Sequence, residues 1–133
     1  MRRGSFAIGM LGLAAVLLSC VVAQPLTDAT IHDAVDNLAG DGTHPTYGDV
    51  SGWNVSQVTD MSGLFSYSTF NHPLNNWDVS RVTNMGGMFS GAAVFNQPLD
   101  GWDVSSVTDM SSMFNYAAAF NQPLNSCLLY TSD

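Results

Sequence analysis

The sequence predicts an α/β repeat fold: a solenoid of short parallel strands and short helices, closed at its N-terminal side by a capping helix. Three observations lead there. A phrase beginning Trp-Asp/Asn-Val-Ser occurs three times, and its tryptophans, Trp53, Trp77 and Trp102, lie 24 and then 25 residues apart. A fixed period in this range marks stacked units, none of which can bury its apolar face alone. Within each copy, Met61, Leu64 and Phe65, then Met85, Met88 and Phe89, then Met110, Met113 and Phe114 recur at i, i+3, i+4, the spacing of one helix face. Ahead of the repeats, residues 27–39 carry a single apolar stripe between helix start and stop signals.

In chain order, Met1-Arg2-Arg3 is a basic start, and 6–18 is an apolar run of 13 residues. Val21-Val22-Ala23 follows with small residues at signal-peptidase offsets. Residues 1–23 read as a secretory signal peptide, too short in its apolar part to span a bilayer, which takes roughly 20 apolar residues. Leu17-Leu18-Ser19-Cys20 offers an alternative, a lipobox with lipidation at Cys20. That anchor is the one route by which the mature chain would be held on a membrane. At the other end, Cys127 to Asp133 breaks the repeat where Trp-Asp-Val-Ser is due and resembles translated sequencing adapter. We expect 127–133 to be an artefact and 46–126 to be about three repeats of a longer array.

Residues 24–45 are expected to form the cap and a loop. Thr27 fits a helix N-cap, Asp28 sits where the helix dipole favours a negative charge, and Leu26 and Ile31 fit a hydrophobic staple. Ile31, Val35 and Leu38 form the stripe, and Gly40 supplies the stop. Repeat arrays need such caps for solubility. The segment from Tyr47 to Trp53 reads as a degenerate repeat opening, with Val50 in the place later held by Leu74 and Leu99.

In the repeats, Asp60, Asn84 and Asp109 stand one residue before each methionine and are expected to cap the short helices. Pro73, Pro98 and Pro123 cannot donate to a ladder, so strands are expected just after them, at 74–79 and 99–104, with a degenerate one at 50–55. Stacking then places like over like.

Between Gln24 and Ser126 there are ten Asp, no Glu, no Lys and one Arg, Arg81, for a charge of 1 − 10 = −9. That argues against nucleic acid, which needs a basic face, and against an anionic membrane surface. The same stretch has no cysteine, so no disulfide framework supports it.

Several columns are candidate sites. Asn54, Asp78 and Asp103 form one acidic column, and Asp60, Asn84 and Asp109 another. Either offers hard oxygen ligands for calcium, but neither carries a recognised calcium-loop spacing, so turn and cap hydrogen bonding is the preferred reading. Trp53, Trp77 and Trp102 are candidates for an aromatic sugar platform, with packing between repeats as the preferred reading. Asn71, Asn96 and Asn121 are expected to form an internal amide ladder. His32, His44 and His72 are spaced 12 and 28 apart, which fits no zinc pattern. No nucleophile–base pair, phosphate loop or catalytic carboxylate pair stands out, and no cofactor, metal or enzymatic activity is expected.

The phrase Phe-Asn-Gln-Pro-Leu-x-x-Trp-Asp-Val-Ser-x-Val-Thr-x-Met-x-x-Met-Phe resembles the repeat of the BspA-like leucine-rich-repeat surface proteins, over 46–126. The resemblance implies a right-handed leucine-rich-repeat-like solenoid, a secreted or cell-surface location, and an adhesive role toward host or matrix. Pro98 and Pro123 depart from it, at a place where such repeats often carry an acidic residue. The expected function is therefore a secreted or surface interaction protein that binds extracellular protein or glycan through its repeat face. The alternative is a structural stalk or spacer of a larger surface protein.

Overall fold

The computed structural model describes residues 24–124. The expected signal peptide with Cys20 and the expected adapter segment 127–133 lie outside the described residues.

The expected solenoid of parallel strands and short helices is not formed. Among the described residues there is one helix, α1 (Ile31–Asp36), one antiparallel pair of two-residue strands, β1 (Thr43–His44) and β2 (Gly48–Asp49), and a 3-10 turn at Val50–Gly52. Parallel pairing is confined to the isolated bridges Asp60↔Asn84 and Asn84↔Asp109. The other described residues form turns and irregular structure.

The expected strands fail because their amides are taken locally. Trp77 N donates to Leu74 O at 3.0 Å, Trp102 N to Leu99 O at 3.1 Å and Trp53 N to Val50 O at 3.2 Å. Each Leu/Val-x-x-Trp is thus a tight turn. Asp78 then accepts the Ser80 amide and Asp103 the Ser105 amide. A chain folded into consecutive turns has too few free N–H groups there to form a ladder.

The short helices at 61–65, 85–89 and 110–114 are replaced by a cascade of turns. Gly63 and Tyr67 have φ of 64° and 55°, Gly87 and Gly91 of 63° and 71°, and Ser112 and Tyr116 of 56° and 60°. A left-handed residue at every fourth position cannot continue a right-handed helix. It suits the third position of a turn that needs φ > 0. The buried face survives the change, since Met61, Leu64, Phe65, Met85, Met88 and Phe89 are all buried.

These turns connect neighbouring repeats. Met61, Gly63, Phe65 and Tyr67 donate their amides to Asn84, Gly86, Met88 and Ser90 carbonyls at 2.8–2.9 Å. Met85, Gly87, Phe89 and Gly91 donate likewise to Asp109, Ser111, Met113 and Asn115. The intervening amides stay within their own repeat: Leu64 N donates to Met61 O, Ser66 N to Gly63 O, and Ser68 N to Phe65 O.

Side chains follow the same register. Phe65, Phe89 and Phe114 stack with ring centroids 5.5 Å apart, and Phe70, Phe95 and Phe120 at 6.1 and 5.9 Å. The first repeat is one residue shorter between its phenylalanines, yet its internal pair keeps the spacing, 4.1 Å against 4.0 and 4.1 Å. In the longer repeats Phe95 N and Phe120 N donate to the Ala92 and Ala117 carbonyls. In the shorter one Phe70 N donates to the Ser68 hydroxyl, which itself donates to Phe65 O. A side-chain oxygen replaces the missing peptide unit.

The N-terminal helix is present but shorter than the expected 27–39. Its N-cap is Thr30, with no side-chain capping bond, rather than Thr27. The Thr27 carbonyl instead accepts the amides of Thr30 and Ile31 in the preceding turn. Leu26, Ile31 and Ala34 are buried in the same core as the first repeat, with Val35 and Leu38 packed against it. Leu26 N donates to Asn54 O at 2.8 Å.

Phe89 is fully buried among Phe65, Phe95, Trp102 and Phe114. Phe89→Ala is expected to cost about 3–5 kcal/mol, read as a lowered urea midpoint. A change under about 1 kcal/mol would show that the ring stack does not hold the repeats together.

Candidate functional site

The acidic columns are built from Asx turns. Asn54, Asp78 and Asp103 are exposed, and each accepts the amide of the serine two residues on, at 3.2, 3.1 and 3.0 Å. The Ser56 and Ser80 hydroxyls donate to the same oxygens as their amides. Asp60, Asn84 and Asp109 do the same for Ser62, Gly86 and Ser111 at 2.9, 2.9 and 2.8 Å. The cap-type hydrogen bond forms, but it opens a turn instead of the expected helix. These residues also sit at the two parallel bridges, so they bring each repeat into line with the next.

Hydrogen bonds from the Ser80 hydroxyl and amide hold the Asp78 carboxyl below its ordinary value, and Ser105 and Ser111 do so for Asp103 and Asp109. Asp41 and Asp49 are lowered by Thr43 and Ser51 in the same way. No group of three or more His, Cys, Asp or Glu side chains converges on a metal position among the described residues.

The tryptophans are internal. Trp53, Trp77 and Trp102 are all buried. Their indole N–H groups donate to Gly48 O, Val50 O and Leu74 O at 3.2, 2.8 and 2.9 Å. Trp53 and Trp77 stack at 6.2 Å. Their rings pack repeat against repeat in the core rather than lying open at the surface. The asparagines form a ladder: Asn96 N donates to Asn71 Oδ1 and Asn121 N to Asn96 Oδ1, both at 2.9 Å. Gln97 and Gln122 reinforce it through their side-chain amides.

The histidines are separate. His32 is exposed on α1. His44 Nδ1 accepts the amides of Thr46 and Tyr47 within the hairpin loop. His72 Nε2 lies 3.1 Å from Gly40 O and lines a cavity of about 160 Å³ between the helix and the first repeat, with Val35, Leu38, Phe65 and Phe70.

Two features were missed by sequence reasoning. Asp28 reaches across to the first repeat. Its carboxylate accepts the Thr59 amide and hydroxyl, both at 2.6 Å, and the Asp60 amide at 3.1 Å. Further on, the Thr59 carbonyl takes the Thr83 and Asn84 amides, and the Thr83 carbonyl takes those of Thr108 and Asp109. Asp28 therefore stands where a preceding repeat would place a carbonyl. Burial raises its carboxyl, but the Thr59 and Asp60 hydrogen bonds and the nearby His32 bring it below its ordinary value. The sequence places Asp28 in the first turn of a helix, but α1 begins at Ile31, and no local pattern ties Asp28 to a residue 31 positions away. The second feature is a pair of exposed aromatics, Tyr67 and Tyr116, at 79% and 77% exposure. Their signal was legible: tyrosine stands twice where the middle repeat has Gly91.

The model of one protein family, described as "Mycoplasma protein of unknown function, DUF285", matches residues 35–131. No curated protein and no solved structure matches the chain.

Six carboxyls carry folded values below the ordinary 3.8. The stability they contribute is complete above that value and is lost as pH falls through the lower folded values. The urea midpoint is expected to hold near neutrality and drop below about pH 4, with Asp28→Ala giving a shallower drop and a lower plateau. An unchanged acid limb in Asp28→Ala would remove this carboxylate from the account. Calcium is expected to produce no calorimetric binding below millimolar concentration. Micromolar binding lost in Asp78→Asn with Asp103→Asn would make the first column a metal site.

Proposed function

We propose, for a chain that belongs to the DUF285 family, that it is a secreted or cell-surface interaction protein. Its in-register repeats offer an adhesive face to an extracellular protein or glycan. The observation that carries this reading is the division between inside and outside. Among the described residues the buried set contains no polar or charged side chain. Polar groups therefore lie along the outside, repeated from one unit to the next, with the exposed Tyr67 and Tyr116 among them, an arrangement suited to an extended contact.

Three sequence features support the location. They are the signal-like segment 1–23, the strongly acidic and lysine-free repeats, and the resemblance of the repeat to the BspA-like surface proteins. Among the described residues no helix is long and apolar enough to cross a membrane. A second reading, a stalk or spacer, draws support from the aspartates of the columns, whose bonded oxygens are engaged in their own turns.

Surface plasmon resonance of the full chain over immobilised extracellular-matrix glycoproteins, before and after enzymatic deglycosylation, separates the two. Saturable binding to at least one surface is expected for the interaction protein. Equal, unsaturable signal on every surface would favour the spacer. N-terminal sequencing of exported material is expected to start at Gln24, and a lipidated Cys20 start would replace free secretion with an anchor.

A further inference from the structure

We propose that Tyr67 and Tyr116, with Gly91 between them, form an aromatic platform for a neutral glycan. The inference rests on the interaction-protein reading and names the ligand class and the residues.

The three positions are equivalent in successive repeats, and all three have left-handed φ, 55°, 71° and 60°. Glycine takes that conformation without steric cost and tyrosine does not. The turns therefore supply no reason for tyrosine, and the apolar core supplies none either, since the two rings are 79% and 77% exposed. A bulky aromatic held at a costly backbone position and left in solvent points to a role outside the fold.

Gly91 completes the arrangement. The Tyr67 ring lies across it, and a side-chain carbon there would overlap that ring. The glycine thus lets Tyr67 lie over the second repeat, while Tyr116 belongs to the third. At the spacing of hydrogen-bonded chains, the two tyrosine positions are roughly 10 Å apart, so an extended ligand is needed to reach both.

The surroundings select the ligand. The backbone at this edge is already bonded, with Tyr67 N to Ser90 O and Gly91 N to Asn115 O, so an added peptide strand finds few partners there. Ser66 precedes Tyr67, Ser90 precedes Gly91, and Asn115 precedes Tyr116. Hydroxyls and amides beside exposed rings match a pyranose, whose C–H face lies on the ring while its hydroxyls bond at the rim. The net charge of −8 disfavours anionic glycans.

Glycine at both positions relaxes the backbone, so the Tyr67→Gly, Tyr116→Gly variant is expected to fold at least as stably as the parent. Calorimetric titration of the full chain uses chitohexaose, cellohexaose and laminarihexaose, with a heparin hexasaccharide and a proline-rich peptide as contrasts. Saturable binding of a neutral hexasaccharide is expected. It should weaken roughly tenfold or more in the glycine variant, the scale of two aromatic contacts, and be kept in Tyr67→Phe, Tyr116→Phe. No binding of any neutral hexasaccharide, unchanged affinity in the glycine variant, or preference for heparin or the peptide would overturn the platform. If the glycine variant keeps the matrix binding of the parent, the platform fails and the interaction protein stands. If the parent binds no surface at all, both fail.

Discussion

The structure depends on how the backbone amides of each turn cascade are shared. From Met85 to Ala92 the amides alternate between two destinations. Met85, Gly87, Phe89 and Gly91 donate to the following repeat, while Met88, Ser90 and Ala92 close turns within their own, and the Asn84 side chain takes the Gly86 amide. A strand ladder also sends its amides outward, but it needs an extended chain. Here the chain is coiled by left-handed residues, so alternate amides face the neighbour although little strand forms. Buried backbone groups must find partners, and this alternation satisfies them without either expected secondary structure.

The stacking of side chains, buried and at the surface alike, follows from that register. Once the carbonyl of each repeat meets the amide of the one before, identical side chains must lie over one another. The phenylalanine columns, the indole bonds to Val50 O and Leu74 O, and the asparagine ladder are consequences of it. The shorter first repeat tests this dependence. Losing one residue there moves no ring out of line, because the Ser68 hydroxyl takes over the lost bond.

Burial was legible in the sequence, and conformation was not. The positions chosen as apolar faces, Met61, Leu64, Phe65 and their equivalents, face inward, because a 25-residue period with fixed apolar spacing determines which residues must meet. Spacing of i, i+3, i+4 is also met by successive four-residue turns, and only the serines and glycines between the methionines hint at the latter. The strand expected after each proline was misplaced for a related reason: Leu-x-x-Trp closes on itself, and Asp78 and Asp103 close the next turn. Asp28 was beyond local reasoning, since its partners come from a distant segment. Tyr67 and Tyr116 were visible as departures from the repeat, but their exposure needed the fold.

The carboxylate of Asp28 has a consequence for how such genes can change length. It recognises only the amides of two consecutive residues and one threonine hydroxyl. Thr83 and Thr108 offer the same hydroxyl at the same place in their repeats, and there it donates to the preceding carbonyl. The carboxylate would therefore find the same donors on any copy, whereas the His72 contact with Gly40 O belongs to the first repeat alone. Unequal recombination that deleted or duplicated a copy would present the carboxylate with the same three donors. Gain or loss of copies after the first would leave the closing of the first edge unchanged.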